Sequence, residues 1–202
     1  AVACIDAERR IINAATNYSN ERVQFNKKIN EFGAVSQKLA MMATDLYAGE
    51  SATYRAAKDI EDRISILESE GKNHQEAELK GVEEYVIECS MLKVALSDDA
   101  QNIADEAIQI YGGMGYSTET PIESAWRDSR IARIYEGTNE INRLVSIGML
   151  IKKALKGHVD LITEAEKVAE ELTGIPSFDV PDFSELFSEE KNMNKFITLT
   201  VA

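Results

Sequence analysis

Two stretches of this chain repeat an apolar residue at every third or fourth position, and they constrain its fold more than any other feature. One seam opens at Gly33 and runs through Val35, Leu39, Met42, Leu46, Gly49, Thr53, Ala56, Ile60, Ile64 and Leu67. The other runs through Leu79, Val82, Val86, Cys89, Leu92, Leu96, Ala100, Ile103, Ala107 and Ile110. Steps that mostly alternate between three and four place these residues on one stripe of a helix that packs nearly parallel to its neighbours. Each seam predicts a helix of about thirty-odd residues, roughly 50 Å long at 1.5 Å per residue. Between them, residues 68–75 contain Gly71 and Asn73 and no large apolar side chain, which reads as a turn. A short turn makes the two helices antiparallel.

Shorter helical patterns flank this pair. Residues 1–20 carry Ile5, Ile11, Ile12, Ala15 and Tyr18 on one face. The second long helix is expected to stop at Gly112-Gly113, where glycine accepts a left-handed cap. Thr120-Pro121-Ile122-Glu123 reads as a capping box with proline at the first helical position. A last core helix is expected over about residues 138–155. Strand signals are nearly absent before the tail. The expectation is an all-α, up-and-down bundle of four or five helices over residues 1–155. Residues 156–202 differ: Leu161, Ala165, Val168 and Leu172 predict one short amphipathic helix. Gly174-Ile175-Pro176-Ser177 and Val180-Pro181-Asp182 then read as linker. The apolar finish, Phe196 to Ala202, has no stop signal, as in a fragment cut within a further helical region.

Composition excludes some functions. The chain has 202 residues, is 44% hydrophobic, contains three prolines, and carries a net charge of −13. Without a dense run of Lys or Arg it offers no surface for tracking phosphates, so nucleic acid is not expected as a partner. No apolar run is long enough for a membrane span and no signal peptide opens the chain, which points to a reducing, cytoplasmic setting. Cys4 and Cys89 fall on helical patterns and read as core residues. His74 and His158 are isolated in polar stretches, and no spacing resembles a metal site.

The motifs that could carry chemistry are ambiguous one by one. Tyr111-Gly112-Gly113-Met114-Gly115-Tyr116 could cradle a phosphate, but it follows a helix rather than a strand and by itself reads first as a helix cap and turn. Glu136 lies between two helical segments, before Gly137 and Thr138. Thr138 is a plausible N-cap whose helix dipole favours negative charge nearby. By itself, Glu136 is more often a solvated loop carboxylate.

Taken in order, the motifs say more. Glu21-Arg22-Val23-Gln24-Phe25-Asn26-Lys27 follows the first helix, and Phe32-Gly33-Ala34-Val35-Ser36-Gln37 opens the second. Gln109-Ile110-Tyr111-Gly112-Gly113-Met114-Gly115-Tyr116 closes the third. Trp126-Arg127-Asp128 then leads into Ile134-Tyr135-Glu136-Gly137-Thr138-Asn139-Glu140-Ile141. This ordered set, over residues 1–155, resembles the C-terminal helical domain of acyl-CoA dehydrogenases. The longer loop between the long helices and the tail after Gly157 are similar to the very-long-chain members, which carry an additional C-terminal extension.

The resemblance implies an FAD-dependent enzyme that oxidises fatty acyl-CoA thioesters, with Glu136 as the base that removes the α-proton and Gly137 beside the thioester. It implies FAD contacts, partly with a neighbouring subunit's FAD, at Arg22, Gln24, Phe32, Gly33, Gln109, Ile110, Tyr111, Gly112 and Gly113. Further contacts fall at Thr138, Asn139 and Glu140. Gly33 stands where a polar residue is usual, and Glu140 where Gln is common. Acyl-CoA as substrate, electron-transfer flavoprotein as electron acceptor, and a homodimer or tetramer are also implied. The family's N-terminal helical and middle β-domains are not recognisable here, so this chain alone is expected neither to retain FAD nor to turn over. A non-catalytic helical module and an acyl-CoA oxidase relative stand as the alternatives.

Overall fold

A computed structural model of the chain describes residues 2–173. The linker and the apolar finish expected after residue 173 lie outside the described residues. α1 spans Val2–Glu21, and is followed by two short strands, β1 (Val23–Gln24) and β2 (Lys27–Lys28), and a 3-10 turn at Ile29–Glu31. Then come α2 (Gly33–Ser69), α3 (His74–Glu84), α4 (Val86–Tyr111), α5 (Gly113–Tyr116), α6 (Pro121–Ile131), α7 (Asn139–Leu155) and α8 (Leu161–Thr173). One compact unit ends at Met149 and a second begins at Leu150. No helix among the described residues is long and apolar enough to cross a membrane.

The core of the first unit gathers Ile11 and Ala15 from α1, Met42 from α2, Ile103, Ala104, Ala107 and Ile110 from α4, and Ile122 from α6. α4 is therefore the central rod, with α1, α2 and α6 packed around it. The antiparallel pairing of the two long seams is visible in its register. A Cβ on Gly81 would lie 2.7 Å from Ile64 Cγ1, and one on Gly49 would lie 2.4 Å from Leu96. Ile64 to Gly49 is fifteen residues back along α2, and Gly81 to Leu96 is fifteen forward on the other arm. The turn between the arms is capped as its composition suggests, with the Asn73 side chain accepting from the Glu76 N–H at 3.0 Å.

Five expectations need correction. The second long helix is interrupted at Tyr85, whose N–H bonds back only three residues, to Val82 O at 3.2 Å. This leaves α3 and α4 as separate elements without losing the register. On α3 the small residues Ala77 and Gly81 face inward while Leu79 (71%) and Val82 (51%) are exposed, because α3 approaches α2 too closely for larger side chains. Strands do occur: Val23 pairs with Lys28 and Gln24 with Lys27. The turn between them places Phe25 (φ 52°) and Asn26 (φ 65°) in the left-handed region, the two-residue hairpin geometry that suits the strand twist. The capping box at Thr120 does not form, since its hydroxyl donates to Met114 O at 2.8 Å instead of accepting from the new helix. Finally, Cys89 is exposed and Cys4 only half-buried. On α7, Ile141, Leu144 and Ile147 are exposed as well.

Candidate functional site

The segment between α6 and α7 is a tight turn built on backbone strain. Tyr135 N–H closes onto Ile131 O at 3.1 Å, and Asn139 N–H onto Arg133 O at 3.1 Å. Between these closures the chain reverses through Glu136 at φ 55° and Gly137 at φ 80°. A glycine takes such angles freely, whereas a glutamate there costs about 1–2 kcal/mol. A Cβ on Gly137 would also press on Asn142 Nδ2 at 3.1 Å. Glu136 is exposed, and its carboxylate makes no hydrogen bond or ion pair among the described residues. The Gly137 N–H likewise donates to none of them.

What holds the turn is a polar network that sequence reasoning missed. Lys93 Nζ, from α4, donates to Gly137 O at 2.8 Å and to Asn139 Oδ1 at 2.7 Å. Asn142 Nδ2, from α7, donates to Gly137 O at 2.9 Å and Thr138 O at 3.1 Å. Asn139, only 2% exposed, donates through Nδ2 to Ser97 Oγ at 2.9 Å and Asp98 Oδ1 at 3.0 Å. Asp98 in turn takes Arg133 Nε at 2.6 Å and Arg143 Nη2 at 3.0 Å. The Asn139 side chain is therefore fully engaged inside the protein. Thr138 caps α7, accepting from Ile141 N–H at 3.3 Å. Glu140 is held below the usual carboxylate range by its own backbone N–H and by the Thr138 hydroxyl. Partners on α4 lie 35 or more residues from the turn and leave no local signal; the trace in the sequence is Lys93, Asp98 and Asp99 on a largely apolar helix.

A second cluster forms where the hairpin meets the end of α4. Gln24, Phe32, Gln109 and Ile110 line a groove of about 350 Å³ together with Phe25, Ala34, Val35 and Lys38. Phe25 is 87% exposed at the hairpin tip and meets Phe32 edge-on at 6.2 Å between ring centres. Lys27 Nζ lies 4.0 Å above the Phe32 ring. Arg22 and Lys28 are exposed on the same hairpin, so the rim is cationic in a chain of net charge −13. Gly33 opens α2 behind Phe32, with no side-chain cap on the helix N-terminus. Tyr111 stacks on Tyr18 at 4.0 Å and donates its hydroxyl to Ala14 O at 3.2 Å. Gly112 then turns the chain at φ 60°, ψ −138°, and Gly113 starts α5. Phe25 is the residue here that the sequence-based reading named only as part of a motif.

The structure thus brings the implied site residues into two groups rather than one. Lys93 and Gln109, which mark them, are sixteen residues apart on α4, roughly 24 Å along a helix. Aromatic edges, amide side chains and a cationic rim suit one part of an anionic dinucleotide such as FAD.

Comparisons with known proteins agree with one another. A model of the family described as acyl-CoA dehydrogenase, C-terminal domain, matches residues 1–149. A probable acyl-CoA dehydrogenase of Bacillus subtilis (strain 168) is 44% identical over 172 residues, 85% of this chain and 29% of that protein. The mitochondrial very long-chain specific acyl-CoA dehydrogenase of Macaca fascicularis is 36% identical over 144 residues, 71% of this chain and 19% of that protein. An acyl-CoA dehydrogenase from Bacillus anthracis, solved in complex with FAD, superposes with a TM-score of 0.81 at 38% identity. That match covers 98% of this chain and 34% of the solved one. The chain spans about a third or less of the length of these relatives.

Proposed function

This chain belongs to the acyl-CoA dehydrogenase family, as its C-terminal domain, and on that premise we propose that it gives such an enzyme its catalytic base. The reaction removes one hydrogen each from Cα and Cβ of a fatty acyl-CoA thioester. The observation that carries the reading is Glu136 itself, a glutamate held at φ 55° in a turn that a glycine would occupy without strain. Strain of this kind persists where the surrounding structure enforces it, and it gathers at working sites.

Glu136 takes the α-proton through its unengaged carboxylate. The Gly137 N–H, without an acceptor among the described residues, is free to stabilise negative charge on the thioester oxygen. Bound FAD would accept the β-hydrogen with its electron pair. Arg22, Gln24, Phe32, Gly33, Gln109, Ile110, Tyr111, Gly112 and Gly113 form one face that would hold FAD. Thr138, Asn139 and Glu140 form another. Glu136 is exposed in this chain, so the dry wall that a carboxylate needs to act on a weak carbon acid comes from elsewhere in the enzyme.

The same reading extends to the whole enzyme. It is a cytoplasmic homodimer or tetramer that passes electrons to electron-transfer flavoprotein. We read it as a very-long-chain-like member, with residues 1–155 as the bundle and 156–202 leading into a C-terminal extension. The test is Glu136→Gln in a full-length enzyme carrying this domain. FAD should remain bound while acyl-CoA no longer bleaches it; normal flavin reduction would overturn the assignment.

A further inference from the structure

We propose that Lys93 is a positioning residue for Glu136, its ammonium group clamping the peptide carbonyl that follows the base to the central rod of the bundle. The inference rests on the reading of Glu136 as the base. A turn with a glutamate and a glycine both at positive φ relaxes unless other contacts over-determine it. Three side chains do so here. Asn142 binds the Gly137 and Thr138 carbonyls from inside the turn's own continuation, at 2.9 and 3.1 Å. Asn139 anchors the far end of the turn to Ser97 and Asp98 of α4. Only Lys93 joins these two holds. It reaches from α4 to the Gly137 carbonyl, one residue after the base, and at the same time orients the Asn139 amide through Oδ1.

The chemistry of the side chain suits this task. An ammonium has three donors on a compact centre, so it serves a carbonyl and an amide oxygen lying in different directions. Its base on α4 is rigid, because Val94, Leu96 and Ser97 beside it are buried. Without Lys93 the Gly137 carbonyl keeps one partner, on α7, whose own apolar residues Leu144 and Ile147 are exposed. The turn is then held to α4 only at its far end, through Asn139, and the carboxylate drifts against a substrate held by other parts of the enzyme. A displacement of about 1 Å at a reacting group lowers a rate about 100-fold.

The experiment compares Lys93→Met, Lys93→Arg and Glu136→Gln in a full-length acyl-CoA dehydrogenase carrying this domain. Flavin reduction by acyl-CoA is followed by stopped flow. Lys93→Met should reduce about 100-fold more slowly with FAD content unchanged and substrate affinity altered less than about threefold. Lys93→Arg, which keeps a cation with several donors, should recover at least about tenfold of that loss. A Lys93→Met rate within about threefold of the parent overturns the proposal, as does loss that falls on substrate affinity alone. If Glu136→Gln still reduces flavin, the base reading fails first; if Glu136→Gln is dead and Lys93→Met is unimpaired, only the clamp fails. In the chain itself, Lys93→Met should speed amide exchange at Asn139 at least about tenfold while Ile103 and Ala104 exchange as before. Unchanged exchange at Asn139 also overturns the proposal. Should Lys93→Met not fold, Asn142→Ala removes the other donor to the same carbonyl. It should slow reduction about tenfold, and a parental rate would count against the clamp.

Discussion

Glu8 lies on α1 with no exposed surface, and neither of its carboxyl oxygens has a hydrogen-bond partner among the described residues. Burial first, then the charges of Asp99 and Asp45, push its pKa up to about 7. Unfolded, the group would ionise near its ordinary value of 4.5. Its favourable contribution to folding is therefore complete below about pH 4.5, declines as pH rises through that interval, and is gone above about pH 7. The difference is on the order of 3 kcal/mol. Asp99 is shifted in the same direction, chiefly by burial, and adds to the trend. Replacing Glu8 with Met keeps the volume and removes the ionisation. Urea unfolding should show Glu8→Met more stable than the parent by about 1–3 kcal/mol at pH 8, with the gap closing by pH 5. A gap that does not vary between these pH values would show that Glu8 does not titrate there.

At the scale of elements, the junction of α4 and α5 has the least room for change. A Cβ on Gly115 would meet the Ile108 carbonyl oxygen at 2.6 Å and Ile108 Cα at 2.9 Å, both of them backbone atoms that cannot rotate away. Gly115→Ala should cost about 2–3 kcal/mol in chemical denaturation and spread α5 from the end of α4. A loss below about 0.5 kcal/mol would mean that the junction is looser than these distances. The long seams, the turn at Asn73 and the cap at Thr138 were legible in the sequence because each depends on neighbours within a few residues. The hairpin was not: Phe25-Asn26 lacks the glycine that usually marks such a turn, and Phe25 takes φ 52° against its own preference. Nor was the phase of α3, where the close approach of α2 favours Ala77 and Gly81 over Leu79. At the site, Glu136 could be found from its motif. Lys93, Asp98 and Arg143 could not, since Asp98 and Arg143 meet across 45 residues and only the folded bundle joins them.

For the molecule as a whole, the relative solved with FAD is about three times as long as the part matched here, as this chain covers 34% of it. Both faces that would touch FAD are open at the surface of this chain, with Arg22, Gln24 and Glu140 all exposed. The 202 residues by themselves should therefore purify without visible flavin absorbance. About one FAD per chain would overturn that expectation and the division of the cofactor site with it. The two faces share α4, with Lys93 near one end and Gln109 near the other. This makes the helix a gauge bar whose phase matters as much as its length. One residue inserted between them would advance the far end by only about 1.5 Å but rotate it by about 100°. Evolution can alter side chains along this rod one at a time, but it cannot lengthen or shorten the rod there without turning one of the two faces away from its work.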